Sequence, residues 1–238
     1  MPGRQPPWFA RGRDRRARRP RAGRAARGRA GHRERPLNAP PGWPARLESQ
    51  EVVVRSLRRA DADEWQAVRA RNHDWLRPWD ATVPPGAAPR PTSYKMVVRS
   101  LLHQAKQGLC LPFVIEVEGR FVGQVTVSNV ARGSAQWGSI GYWVAADVAG
   151  RGVAPRAVAL VIDHCFGPVG LHRVEICVRP ENTNSLRVVE KLGLEQVGYS
   201  PRFLHIDGAW RDHRIFAVTV EECPEGIMSR LTTHQSHQ

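Results

Sequence analysis

A mixed α/β fold, a mostly antiparallel sheet covered by helices, is what this 238-residue sequence predicts. Three observations predict it. Short apolar runs, alternating or continuous, recur between Gly, Pro and Asn turns, which is the strand signal. Longer stretches carry apolar residues at helical spacing. The two kinds follow one another as β-α-α-β-β-β-α-β-α-β-β, an order without the strict alternation of a doubly wound parallel sheet.

Val52-Val53-Val54 makes Glu51–Leu57 the first strand, closed by Arg58-Arg59. Asp61 or Asp63 then caps a helix that carries Trp65 and Val68 and runs to Leu76. Pro78, Pro84, Pro85, Pro89 and Pro91 make the next stretch a loop. Ser93 opens a second helix, with Met96, Val97, Leu101 and Leu102 on one side and Gly108 at its end. Leu111–Val117 and Phe121–Val130 read as a hairpin around Glu118-Gly119-Arg120. In it Phe113, Ile115 and Val117 alternate with Val114, Glu116 and Glu118, which predicts one polar face. Gln136–Val144 is the next strand, and Gly150–Gly152 leads into a helix to Phe166. Val153, Ala157, Leu160, Val161 and His164 fall on one stripe of that helix. A strand at His172–Val178, a short helix at Ser185–Leu192 ended by Gly193, and strands at Glu195–Ile206 and His213–Val220 complete the domain.

The formal net charge is +14, and it is not spread evenly. Residues 1–42 hold thirteen Arg and no Lys against Asp14 and Glu34, a balance of +11 that leaves +3 for residues 43–238. The folded part is therefore not a basic surface. The 1–42 segment is rich in Pro and Gly and almost free of large aliphatics, so it reads as a disordered tail. Three readings of it stay open: an arm that binds RNA or ribosomes through phosphate contacts, a targeting peptide, or an inert extension upstream of the true start. Residues 47–222 are read as the domain and 223–238 as a flexible C-terminal tail. No apolar run reaches the roughly 18 residues of a membrane helix, so the chain is not expected to span a bilayer; the expected location is the cytoplasm. Cys110, Cys165, Cys177 and Cys223 form no C-x-x-C pair, so neither a zinc site nor a disulfide framework is expected.

The chemistry begins at Ala149-Gly150-Arg151-Gly152-Val153-Ala154, between a strand and a helix. Small residues let the backbone turn tightly, and the first N–H groups of the helix have no internal partners. With the helix dipole they form an anion site suited to a pyrophosphate. No Gly-Lys-Ser/Thr follows, so this is not a P-loop, and no βαβ unit surrounds it, so it is not a dinucleotide fingerprint. A second helix start, Arg179-Pro180-Glu181-Asn182-Thr183-Asn184-Ser185, follows the next strand. Asn182, Asn184 or Ser185 must cap it in part.

Here the sequence resembles the GCN5-related N-acetyltransferases (GNAT), and within them the RimJ/RimL-like ribosomal-protein N-terminal acetyltransferases. The resemblance lies in Ile140-Gly141-Tyr142-Trp143-Val144, the turn Gly150–Ala154 and Arg179–Leu194, with Leu76-Arg77-Pro78-Trp79 and Ile206–His213 as subfamily features. It implies a sheet of six to seven strands splayed in the middle and flanked by about four helices. It also implies acetyl-CoA as donor: pyrophosphate on the amides of Gly150, Arg151, Gly152, Val153 and Ala154, pantetheine along Tyr142, Trp143 and Val144, and further contact from Asn182 and Ser185. Ala149 departs from the family's usual Gln or Arg.

Acetyl transfer needs a neutral amine and a proton for the leaving thiolate. Where RimI-like relatives carry a Glu base and a Tyr acid, this chain has Cys177 and Val189. The resemblance assigns the thiolate's proton to Ser185. Glu175, two residues from Cys177 on the same strand face, is the candidate base, with Tyr142 and Glu116 as further options. The stretch Asn72–Pro91, with Trp75, Trp79, Asp74 and Asp80, is the expected acceptor loop. The expected acceptor is a peptide or protein N-terminus, that of a ribosomal protein in the first reading, and the protein a monomer or homodimer. A small-amine acetyltransferase and a non-catalytic acetyl-CoA sensor or RNA-associated adaptor are the alternatives. No metal is expected.

Overall fold

A computed structural model describes residues 39–88 and 93–235, with side chains described up to residue 231. Most of the 1–42 segment and positions 89–91 of the expected acceptor loop lie outside the described residues.

Eight strands form one sheet. They are β1 (Arg46–Ser49), β2 (Val52–Ser56), β3 (Leu111–Val117), β4 (Arg120–Ala131), β5 (Trp137–Val144), β6 (Arg173–Val178), β7 (Glu195–Ile206) and β8 (Ala209–Thr219). Their order in the sheet is β1-β2-β3-β4-β5-β6-β8-β7. The helices are α1 (Ala62–Arg71), α2 (His73–Leu76), α3 (Tyr94–Lys106), α4 (Val153–Phe166), α5 (Thr183–Lys191) and α6 (Ile227–Gln235). Among the described residues there are eight strands and six helices, more than the expected six to seven and about four. β1 was missed because Arg46-Leu47-Glu48-Ser49 offers a single large apolar residue, and register against β2 alone makes it a strand.

Both faces of the sheet are covered. Phe113 packs edge-on to Trp43 at 5.4 Å and to His164 of α4 at 6.0 Å. The opposite face of the same strands meets α1 and α3, where Trp65 and Tyr94 pack at 5.8 Å. The polar face expected of β3 is thus a second core face: Val114 is fully buried. Glu116 is held there by Arg55 Nε at 2.7 Å, and Arg55 also grips Asp61 with two nitrogens at 2.8 and 2.9 Å. Trp43 is buried as well, so the packed unit reaches back beyond Leu47.

Three further expectations are corrected. The first helix stops at Arg71, because the Asn72 side chain takes the Val68 carbonyl at 2.9 Å and the Ala146 amide at 2.9 Å, and α2 starts afresh. Met96 faces solvent, while Val98 and Ala105 are the buried positions of α3. The C-terminal tail is a packed helix. Asp163 of α4 accepts the Ile227 and Met228 amides at 2.5 and 3.1 Å, Ile227 is fully buried, and Arg230 donates to the Leu192 and Gly193 carbonyls.

All neighbouring pairs are antiparallel except β5 and β6, which run parallel. Their pairing covers Trp137, Gly138 and Ser139 against Arg173, Val174 and Glu175, and goes no further. Beyond Ser139 the two strands part. The sheet is splayed in its middle, and the split opens toward the N-termini of α4 and α5.

Candidate active site

The turn after β5 takes its shape from its glycines. Gly150 and Gly152 have φ of 78° and 79°, left-handed values that a Cβ disfavours. Gly152 is the residue before α4 and has no side chain to cap the helix. Pro155 contributes no N–H. The amides of Arg151, Gly152, Val153 and Ala154 donate to no group among the described residues. Aligned with the dipole of a fourteen-residue helix, they form an anion cradle.

The second helix start is capped. Asn182 Oδ1 accepts the Ser185 amide at 3.0 Å, as the capping reading required. That bond leaves the Asn182 side-chain NH2 and the Ser185 hydroxyl without partners among the described residues. Both residues line the cavity where the two helix starts converge, a space of about 520 Å³.

The cavity brings most of the sequence candidates together. Tyr142, Trp143, Val144, Gly150, Gly152, Val153, Ala154, Asn182 and Ser185 all line it. Arg151 lies on the exposed side of the turn, outside the lining. On α5, Arg187 and Lys191 add positive charge to the wall.

The edge of β5 alternates in what it can offer. Ala145 N–H donates to the Val122 carbonyl at 2.7 Å, so with the β4 register Trp143 pairs fully with Gln124. Tyr142 and Val144 therefore point their backbone groups away from β4, into the split. The Val144 carbonyl is taken by Trp75 Nε1 at 3.0 Å. The free groups are the Tyr142 N–H and C=O and the Val144 N–H. Trp143 contributes its ring to the wall, braced by Gln124 Oε1 at 3.3 Å.

The candidate bases do not meet there. Glu175 is not in the lining; it pairs with Arg173 Nε at 2.8 Å on β6. Glu116 is not in the lining either; it is committed to Arg55. Tyr142 donates its hydroxyl to the Ser185 carbonyl at 3.4 Å, and burial pushes its phenol up to about 12, so it keeps its proton at neutral pH. The Cys177 thiol is pushed up to about 11 by burial and by Glu175. Val189 is buried core. His164 binds the Gly42 carbonyl at 2.7 Å, and His172 pairs with Glu221 at 3.1 Å.

Sequence reasoning named the segment at the far end of the cavity and missed the arginines that hold it. Trp75, Trp79 and Asp80 line it. Arg179 donates to the Pro78 carbonyl at 2.7 Å and lies 5.3 Å over the Trp79 ring. Arg69 lies 5.3 Å over the Trp143 ring and pairs with Asp80. Thr82 ties this segment to the tip of the β7–β8 hairpin: its N–H donates to the His205 carbonyl at 2.8 Å, and its hydroxyl accepts the Gly208 amide at 3.1 Å. The Trp-rich composition marked the segment; the arginines that hold it come from distant parts of the chain and left no local signal. Among the described residues no cluster of His, Cys, Asp and Glu has the makings of a metal site, and no helix is long and apolar enough to cross a membrane.

Comparison with known proteins agrees with this geometry. Residues 51–195 match the family described as the acetyltransferase (GNAT) domain. The uS5-alanine N-acetyltransferase of Escherichia coli (strain K12) is 29% identical over 183 residues, 76% of this chain and 94% of that protein. The probable N-acetyltransferase YjcK of Bacillus subtilis (strain 168) is 29% identical over 178 residues, 72% of this chain and 96% of that protein. Mycobacterium smegmatis RimJ, solved in complex with CoA-disulfide, superposes with a TM-score of 0.75 at 38% identity, over 82% of this chain and 97% of that one. With its split sheet, its uncapped glycine turn and a family match over most of the domain, the chain belongs to the GNAT acetyltransferases and is an N-acetyltransferase.

Proposed function

We propose that the protein acetylates the N-terminal α-amine of a ribosomal protein in the cytoplasm, using acetyl-CoA. The observation that carries the donor is the meeting of free Tyr142 and Val144 edge groups with unpaired Gly152–Ala154 amides in one cavity. The edge groups suit the amides of a pantetheine arm, and the turn amides suit the diphosphate at its end. The relatives support the acceptor: one is a uS5-alanine N-acetyltransferase and another is RimJ.

In this reading the amine nitrogen attacks the thioester carbonyl. A C–N bond forms, the C–S bond breaks, and the thiolate takes a proton from the Ser185 hydroxyl. The amine's proton leaves to water, which returns a proton to the Ser185 oxygen. Among the described residues the lining holds a single carboxylate, Asp80, and its pairing with Arg69 makes it a weak base, which favours an α-amine. Such an amine, with a pKa near 7.7–8.0, loses its proton at pH 7 for about 1 kcal/mol, whereas a lysine amine near 10.4 needs about 4.6. Holding the amine against the thioester supplies much of the remaining barrier reduction.

The test is acetyl-CoA turnover, followed by free-thiol release, against peptides with free α-amines, the same peptides blocked at the N-terminus but carrying lysine, and small amines. Acetylation of α-amines, located by mass spectrometry, is expected. Turnover of small amines alone would overturn the assignment.

A further inference from the structure

The cavity contains one carboxylate. Among the described residues that line it, Asp80 is the sole acid. Its position is held at several points. Its Oδ2 pairs with Arg69, whose guanidinium rests on the Trp143 ring. Its N–H donates to the Arg77 carbonyl at 3.2 Å, and its carbonyl accepts the Asp207 amide at 3.1 Å. The segment is thus fixed to α1, to β5 and to the β7–β8 turn at once. Asp80 Oδ1 has no partner among the described residues, and the indoles of Trp75 and Trp79 share the same wall.

We infer that Asp80 positions the acceptor amine, its Oδ1 accepting a hydrogen bond from the amine N–H. The inference rests on the reading that the acceptor is an amine, and adds the residue that orients it. Aromatic walls attract an arriving cation, and an ionised acceptor makes the stronger hydrogen bond. A bare carboxylate would carry a penalty, because it favours the ammonium and so depletes the neutral form that attacks. Arg69 removes much of that penalty. With its charge already shared, the carboxylate gives direction to the amine while holding its proton less tightly. No other acid in the lining can take this part.

The experiment compares the full-length protein with its Asp80→Asn and Arg69→Met variants. Asparagine keeps an oxygen for Arg69, so the segment stays in place while the charge is lost. The probes are an alanine-initiated peptide with a free N-terminus and the panel of small amines. The Asp80→Asn change is expected to raise the acceptor KM roughly 10- to 100-fold, as loss of a charged hydrogen bond does. The KM rise should exceed the fall in kcat, and acetyl-CoA affinity by calorimetry should hold. Arg69→Met leaves the carboxylate unshared, so the bound amine holds its proton more tightly and the acidic limb of kcat against pH should move to higher pH, a shift that a purely structural role would not produce. An unchanged acceptor KM in Asp80→Asn, or an equal fall in acetyl-CoA affinity, would overturn the inference. If the wild-type protein turns over only small amines, the peptide assignment fails and the Asp80 assignment stands or falls on their KM values. If it turns over no amine, both fall.

Discussion

The anion cradle can be tested by a graded substitution at Gly152. An ideal Cβ there would come 2.6 Å from Arg156 Nη1, the far end of a flexible side chain that can move aside. The φ of 79° adds about 1–2 kcal/mol of backbone strain for an L-residue. Gly152→Ala should therefore cost stability of that order and leave the amides in place. Gly152→Asp adds a negative charge. At roughly 5 Å from a phosphate and an effective dielectric of about 20, the repulsion is about 3 kcal/mol. Solvent reaches this turn and screens about half of it, leaving about 1.5 kcal/mol or slightly more than tenfold. Calorimetry should show acetyl-CoA binding at least tenfold weaker for the aspartate than for the alanine variant, with a gap that narrows as salt rises. The two variants should melt within a few degrees of each other. Equal affinities for alanine and aspartate would mean that no phosphate sits over this turn, and the cofactor placement would be wrong.

Two further outcomes follow from the same geometry. The Ser185 hydroxyl lines the cavity, so Ser185→Ala should lower kcat about 100-fold with acetyl-CoA affinity unchanged; single-turnover kinetics at saturating donor would show it, and an unaltered kcat would remove Ser185 from proton transfer. His213 is buried, its Nδ1 sits 3.0 Å from the Arg211 carbonyl, and burial, with Arg179 nearby, holds its pKa below the ordinary 6.5. Below pH 6.5 the unfolded chain then binds more protons than the folded one, so stability should fall as the pH drops from 6.5 and level off above it. Thermal unfolding from pH 5 to 7.5 should show that slope, and His213→Gln should flatten it; an equal slope in both proteins would place its origin elsewhere.

The parts of the fold that the sequence revealed are those with a strong local pattern. β3, β4 and α4 are long and apolar, and Gly150 and Gly152 announce a backbone that only glycine takes easily. What stayed hidden depends on partners far along the chain. Arg46–Ser49 becomes a strand because β2 is beside it. Residues 227–235 become a docked helix because Asp163, more than sixty positions earlier, accepts its first amides. Glu116 looked like a solvent-facing carboxylate because nothing near it signals Arg55, and Glu175 looked like a base because spacing puts it beside Cys177 without showing that it lies where β6 is still paired with β5, short of the split. The site was legible where backbone carries the chemistry and illegible where a side chain's surroundings decide it.

The split between β5 and β6 makes a demand that a continuous sheet would not. Backbone groups that no neighbouring strand takes must be met by water or by a ligand, and the fold leaves such groups at Tyr142 and Val144 while meeting one demand itself, by sending Trp75 to the Val144 carbonyl. If the remaining groups exist to hold a donor, amide exchange along β5 should alternate. The Trp143 N–H, bonded to β4, should exchange slowly with or without acetyl-CoA. The Tyr142 and Val144 N–H groups should exchange quickly in the free protein and become protected on binding. Trp75→Phe should leave that pattern intact and weaken only the closure of the far wall, since it removes a bond to a carbonyl and no amide. Uniform protection of all three amides in the free protein would show that the split closes in solution, and the edge could not then serve as the arm's template.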